Sequence, residues 1–311
     1  MKLRDIGEDE LLEQLLPKSE PNSGVVLGAG DDCALVVSGK RGHLNLLKTD
    51  CLVEGIHFAK KTRAELVGWK AMTRPLSDFA AMSGVPRFAL VTLIVPADRE
   101  VSWVRQLYRG IEKAARKFEV AVVGGETSGI KGPAVISITV TGFVEKGRWV
   151  SRAGGKVNDE IFVTGRLGGS IRGGHLKFVP RIVESRWLTQ NFPIHAMMDL
   201  SDGLGADLPR LARASNVGFE IDRDALPLNP GCTITQAISD GEDYELLFAI
   251  APKDSRSLPS RWRKKFADVP LTRIGRLNRK PARSASRSDA GGSKIENRKS
   301  ETLPRGYVHF R

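Results

Sequence analysis

Three cysteines, Cys33, Cys51 and Cys232, are too few and too scattered for a disulfide framework, and no CxxC pair is present to hold zinc. They read as small buried or half-buried residues in a reducing compartment. Aromatic residues make up only 6% of the 311, so the core must be mostly aliphatic. No apolar run approaches the roughly 20 residues of a membrane span, and the longest, Phe88 to Pro96, has the length of a strand. The N-terminus, MKLRDIGEDELLEQLL, is charged throughout and reads as a short amphipathic helix, not a leader. These absences predict a cytoplasmic protein with no membrane partner. Also missing are a G-x-x-x-x-G-K-[ST] loop, an H-R-D and D-F-G pair, and a dinucleotide G-x-G-x-x-G between strand and helix. Any nucleotide bound here is bound in another way.

The net charge of +12 is not spread over the chain. Residues 1–252 hold 31 basic and 31 acidic side chains, and residues 253–311 hold 17 and 5. A basic tail can bind nucleic acid by releasing counterions. Here the Lys and Arg are not interleaved with stacking aromatics, so a solvated segment is the better reading. Residues 279–302, RKPARSASRSDAGGSKIENRKSET, are low in complexity and nearly free of large apolar side chains, which predicts a disordered basic loop.

The length suits two domains of roughly 150 residues. Short β-rich runs at Val25–Leu27 and Ala34–Val37 flank GAGDD, and Leu44–Lys48 is a third strand ending at Thr49-Asp50. Residues 64–82 have helical periodicity with a kink or break expected at Pro75. Strands follow at Phe88–Val95, Val120–Val123 and Val135–Val144, with a helix at Ser102–Phe118 capped by Ser102 or Asp98. Beyond Lys146 the expected strands are Glu160–Thr164, Ala196–Leu200, Phe219–Ile221, Tyr244–Ile250 and Leu271–Leu277, with helices at Pro180–Gln190 and Gly203–Ala214. Strands and helices mix without the regular alternation of a doubly wound sheet. The fold class is therefore α/β of the mixed α+β kind, with domains at 1–146 and 147–311.

The unusual feature is a set of acids at strand ends and in glycine-rich turns: Asp31-Asp32 in GAGDD, Asp50 in KTD, Asp78 in PLSD, Glu126 in GGET, Asp199 and Asp202 in DLSDG, and Glu242-Asp243 in DGEDYE. One Asp in a turn is commonplace, because its side chain satisfies nearby backbone N–H groups. So many beside Gly, Ser or Thr at the ends of apolar runs would converge on one face, where like charges repel. Divalent cations remove that conflict. Mg²⁺ takes oxygen ligands and is held by a few carboxylates together with substrate phosphates. Gly28, Gly30, Gly124 and Gly125 allow close approach of backbone to such a ligand. The inference from these residues is a polyphosphate site with several Mg²⁺ ions.

GAGDDCALV, KTDCLVEGIHF, GWKAMTRPLSDFAAMSGVPRFALVTLIVP, VVGGETS, SRAGGKVNDEIFVTGRLGGS, AMMDLSDGLGADL and DGEDYELLF follow one another over residues 3–250. In that order they resemble the thiamine-monophosphate kinase family, of the superfamily that holds aminoimidazole ribonucleotide synthetase and selenophosphate synthetase. No reactive N-terminal Cys favours the last. The resemblance implies a two-domain aminoimidazole-ribonucleotide-synthetase-like fold, with the N-terminal sheets of two subunits joined in a homodimer and ATP in a cleft near that interface. It implies direct in-line transfer from ATP to thiamine phosphate, with Asp50, Asp78 and Asp202 at the catalytic centre. The implied metal ligands are Asp32, Thr49, Asp50, Asp78, Glu126, Asp199 and Asp202. The implied ATP residues are Gly125, Glu126, Arg152, Ser201 and Tyr108, and the implied thiamine phosphate pocket is His57, Glu242 and Tyr307. His57 also reads as a hydrogen-bonded turn histidine. Several positions depart from the family pattern. Glu126 stands for Asp, Lys48 for Ser or Thr, and Arg74-Pro75 for Val-Asn. Ser239-Asp240-Gly241 replaces Ser-Gly-Gly, the stretch between Ser170 and Arg181 is short, and Val308 replaces Asp in the terminal GYVHF.

Overall fold

In a computed structural model, the structure describes residues 22–280 and five residues between 5 and 15. Tyr307 and nearly all of the 279–302 segment lie outside the described residues. Among the described residues, no helix is long and apolar enough to cross a membrane.

The strands fall into two sheets. The first has β1 (Val25–Leu27), β2 (Ala34–Val37), β3 (His43–Val53), β4 (Val85–Val95), β5 (Ala121–Gly129) and β6 (Val135–Glu145), in the order β1-β2-β3-β6-β4-β5. Only the β4–β5 pair is parallel. One face of this sheet is covered by α1 (Ala64–Ala81) and α2 (Val101–Lys117). Alternation along β3 buries Leu44, Leu46 and Leu52 under α1, where they join Val91, Leu93, Ile136, Ile138 and Val140. The two helices cross very closely. A Cβ on Gly68 would lie 1.9 Å from the Leu107 carbonyl oxygen, and one on Gly110 would lie 1.9 Å from that of Glu65. Leu47, Phe88, Leu90, Val122 and Val123 are exposed large apolar residues of this sheet, and every residue of β5 is exposed.

The second sheet, wholly antiparallel, has β7 (Glu160–Thr164), β8 (Ile194–Asp199), β9 (Gly218–Ile221), β10 (Leu246–Ile250) and β11 (Leu271–Asn278), ordered β8-β10-β7-β11-β9. Both faces are covered, so the inner strand β10 is an unbroken apolar run, LLFAI. On one side lie α4 (Leu204–Ala214) and α5 (Ile234–Ser239), with Leu204, Leu208, Leu211 and Ile238 in the core. On the other lie α3 (Ile182–Asn191), α6 (Pro252–Ser255) and α7 (Leu258–Lys265), with Leu188, Leu258 and Trp262 against Phe162 and Phe248.

Helix α1 joins the two halves. Most of its residues are buried, and Ala80 packs into the core of the second sheet. Of the kink or break expected at Pro75, no break occurs: α1 continues through it. Pro75, Leu76 and Phe79 are buried there, and tertiary burial on several sides outweighs the roughly 3 kcal/mol a mid-helix proline costs. The predicted side-chain cap of α2 is also absent, because Glu100 occupies the cap position without such a bond.

Candidate active site

Where the two halves meet, a cleft of about 820 Å³ is lined by residues from both, including Asp31, Asp32, Lys48, Asp50, Arg74, Asp78, Arg152, Asp199, Ser201, Asp202, Arg210 and Tyr244. Asp32 comes from the turn before β2, Asp78 from α1 and Asp199 from the end of β8. All three are buried, and one carboxylate oxygen of each lies within 4.8 Å of the others. The chain itself supplies two counter-ions and a neutral donor. Lys48 Nζ donates to Asp78 Oδ1 at 2.8 Å, Arg152 Nε donates to Asp32 Oδ1 at 3.2 Å, and Ser77 Oγ donates to Asp199 Oδ2 at 2.6 Å. Asp31, outside the trio, accepts from the Arg152 backbone N–H at 3.1 Å. Asp32 Oδ2, by contrast, is buried with no hydrogen-bond partner. A trio of buried carboxylates in which one carboxylate oxygen has no partner is a donor set that fits a hard divalent cation.

Electrostatics agree with that geometry. Burial, with Asp199, Asp50 and Asp32 adding to it, pushes the Asp78 carboxyl well above the usual carboxylate range despite the pull of Lys48. Burial and then Asp32 push Asp199 up to about 6. Burial opposes the charge on Lys48, but Asp78 and Asp50 outweigh it and hold the proton on. Asp78 and Asp199 are therefore disfavoured as anions until a cation joins them.

Asp50 lies within β3, because the strand runs three residues beyond its expected end at Asp50. The pleat puts Lys48 and Asp50 on the helix side, where Arg74 Nη2 stands 3.6 Å from Asp50 Oδ1. It turns the Thr49 hydroxyl to the other face, where Thr139 Oγ1 donates to it at 3.0 Å. Asp202 is paired with Arg210, and its N–H donates to the buried Asp207 at 3.0 Å. Ser201 lines the cleft, and its carbonyl oxygen accepts from the Glu242 N–H at 2.7 Å.

Next to the cleft lies a second polar group. Lys70, fully buried on α1, donates to Glu242 Oε1 at 2.7 Å, to Glu242 Oε2 at 2.8 Å and to the His57 carbonyl oxygen at 2.7 Å. His175 Nδ1 is 2.7 Å from Lys70 Nζ and 2.8 Å from Glu242 Oε2. Burial opposes the Glu242 charge, but the His175 hydrogen bond and Lys70 overcome it and hold the carboxyl down at about 2. Burial lowers Lys70 to about 8 in spite of Glu242. Phe178 stacks on Tyr244 with centroids 3.9 Å apart. Glu242 and Tyr244 both have positive φ, +54° and +52°, an uncommon conformation for side-chain-bearing residues. Asp243 between them holds the loop by accepting from Gly168 N at 3.1 Å and from Ser170 Oγ. The Asp240 charge is also used internally, since Gly169 N donates to it at 2.9 Å. Val53 N donates to His57 Nδ1 at 2.9 Å, so the turn role expected of that histidine is present.

Not every expected residue meets in one chain. Gly125 and Glu126 lie on the exposed strand β5, and Tyr108 is half-buried on α2 against the first core. None of the three lines the cleft. Gly125 has a packing reason of its own, since a Cβ there would fall 1.8 Å from the Val91 carbonyl oxygen. Sequence reasoning missed Lys70 and His175. Lys70 had a legible signal, for Lys70, Arg74 and Asp78 recur every four residues on one helix face. His175 had none. Another hollow, of about 900 Å³, lies beside Glu54, Arg99 and Trp103. Glu54, Asp98 and Glu100 line it, but among the described residues they do not form a cluster close enough to share a metal ion, and Glu54 is paired with Arg99 at 2.7 Å.

Residues 30–144 match the AIR synthase related protein N-terminal domain, and residues 148–281 match the corresponding C-terminal domain. A thiamine-monophosphate kinase of Rhodopirellula baltica is 35% identical over 97% of both chains, and one of Aquifex aeolicus is 34% identical over the full length of both. A solved structure described as AaThiL complexed with AMPPCP and TMP superposes with a TM-score of 0.78 at 31% identity, covering 99% of each chain. By its paired domain matches and its end-to-end similarity to these relatives, the chain belongs to the AIR synthase related proteins and, among them, to the thiamine-monophosphate kinase family.

Proposed function

We propose that this chain transfers the γ-phosphoryl group of ATP to the phosphate of thiamine phosphate, giving thiamine diphosphate and ADP. The observation that carries the reading is the buried trio Asp32, Asp78 and Asp199 with its orphaned oxygen, set beside the Lys70–Glu242 pocket. The relative complexed with AMPPCP and TMP supports the same pair of ligands.

Asp32, Asp50, Asp78, Asp199 and Asp202 are the residues we assign to Mg²⁺, while the Thr49 hydroxyl, turned to the other face of β3, and Glu126, which does not line this cleft, would join a metal only through a second copy. Mg²⁺ held there would neutralise phosphate oxygens and align the transfer. Arg152, already oriented by Asp32, is placed to clamp a phosphate. Glu242, kept anionic by His175 and Lys70, suits a cationic or amino-bearing ring, and His57 stands at the same pocket. The acceptor oxygen belongs to a phosphate whose second pKa is near 6, so it is already deprotonated at neutral pH and no general base is needed. One P–O bond forms as the bond to ADP breaks, and the site contributes position and charge.

A homodimer completes this reading. The exposed apolar face around Phe88, Leu90 and Val123 and the fully exposed strand β5 would join a second copy, bringing Gly125, Glu126 and Tyr108 toward a shared nucleotide. A coupled ADP-release assay with Mg²⁺, ATP and thiamine phosphate tests the function. Formation of ADP and thiamine diphosphate is expected. Turnover only with some other phosphate acceptor would keep the ATP site and replace the substrate, and no turnover at all would overturn the reading.

A further inference from the structure

We propose that Arg74 is a catalytic residue whose guanidinium binds the phosphoryl group as it passes between the two ends of the cleft. The inference rests on the kinase reading above. Lys70, Arg74 and Asp78 stand one above another on α1, about 6 Å apart per step. Lys70 belongs to the Glu242 pocket and Asp78 to the carboxylate trio, so Arg74 occupies the midpoint between acceptor and metal ends.

The side chain is held but under-used. Nη1 donates to the Cys51 carbonyl oxygen at 2.8 Å, which fixes the plane. Nη2 is 3.6 Å from Asp50 Oδ1, too long for a hydrogen bond. Nε is buried with no acceptor at all. A guanidinium has five donors, and leaving one buried and unmade costs about 1–3 kcal/mol. The side chain is only 15% exposed and lines the cleft. Tyr244, Asp50, Glu242 and Asp78, from both ends of the cleft, all act on its charge. An arginine with spare donors, set midway along the path of a phosphoryl group, matches the oxygens on which charge spreads during transfer. The competing account is a staple that ties β3 to α1 through Cys51.

The experiment compares the full chain with R74Q, R74K and R74A in the ADP-release assay, with and without millimolar guanidinium. We expect kcat to fall about 100-fold or more in R74Q, KM for ATP to change less than about threefold, and R74K to recover only part of the rate. Added guanidinium should raise the R74A rate several-fold at unchanged melting temperature. R74Q turning over within threefold of the unsubstituted chain would overturn the proposal. So would a loss that guanidinium cannot restore, which would assign Arg74 to the staple. No turnover by the unsubstituted chain would instead overturn the kinase reading, and this inference with it.

Discussion

Replacing Asp78 by Asn removes one charge from the carboxylate trio while keeping the shape. In the folded chain without ligands this change is nearly balanced. It relieves repulsion from Asp32, Asp50 and Asp199, and it ends the burial penalty that drives the Asp78 carboxyl upward. Against that, it takes the charge from the oxygen that accepts from Lys48 at 2.8 Å, and Lys48 keeps Asp50 nearby. The melting temperature should move by less than about 5 °C. With Mg²⁺ and ATP present the balance is lost. A unit charge removed about 4 Å from a cation is worth about 4 kcal/mol at an effective dielectric of 20, or roughly a thousandfold in rate. A coupled ADP-release assay reads the rate, and thermal shift with and without Mg²⁺·ATP reads binding. D78N should fold normally, lose about three orders of magnitude in turnover, and show little shift with Mg²⁺·ATP. Turnover within tenfold of the unsubstituted chain, or an undiminished shift, would show that the trio does not hold the metal and that Asp78 is only a counter-ion for Lys48.

Three further outcomes are expected. Burial raises the Asp243 carboxyl from 3.8 to about 7, so the native state binds an extra proton between those values and stability falls as pH rises from about 4 to about 7. D243N should flatten that part of the melting-temperature profile, and an unchanged slope would remove Asp243 as its cause. Gly110→Ala places a Cβ 1.9 Å from the Glu65 carbonyl oxygen and should lower the urea midpoint by an amount equivalent to about 1–3 kcal/mol at unchanged m. A wild-type midpoint would mean that α1 and α2 can part without cost. Phe88→Glu, on a side chain 52% exposed in the single chain, should give a monomer by analytical ultracentrifugation with much reduced turnover. An intact dimer would move the interface elsewhere.

Apolar alternation located most strands to within a few residues, and GAGDD, PLSD and DLSDG supplied the three acids that converge. Where the reading fell short, longer-range effects decided. Pro75 carries a local instruction to stop, yet α1 is packed from several sides and continues. The short helix α5 had a legible start in Thr233 and Gln236, which form a capping box, but its few residues carry little periodicity. Asp240, a departure from the family pattern, accepts a hydrogen bond from Gly169 N, a pairing across 71 residues of chain.

Composition and order by themselves determined that the core would be aliphatic and that Asp199 would sit at a strand end, although Asp50 lies within β3 and Asp78 on α1. They also determined that Lys70, Arg74 and Asp78 would share one helix face, because periods of two and 3.6 follow from backbone geometry alone. Tertiary structure alone decided which acid meets which base: Asp32 with Arg152, Asp78 with Lys48, Glu242 with Lys70 and His175. It also set Gly125, Glu126 and Tyr108 away from the cleft of their own chain. Those outcomes depend on how two sheets close on one helix, and no local propensity encodes a distance between residues 30 to 172 positions apart.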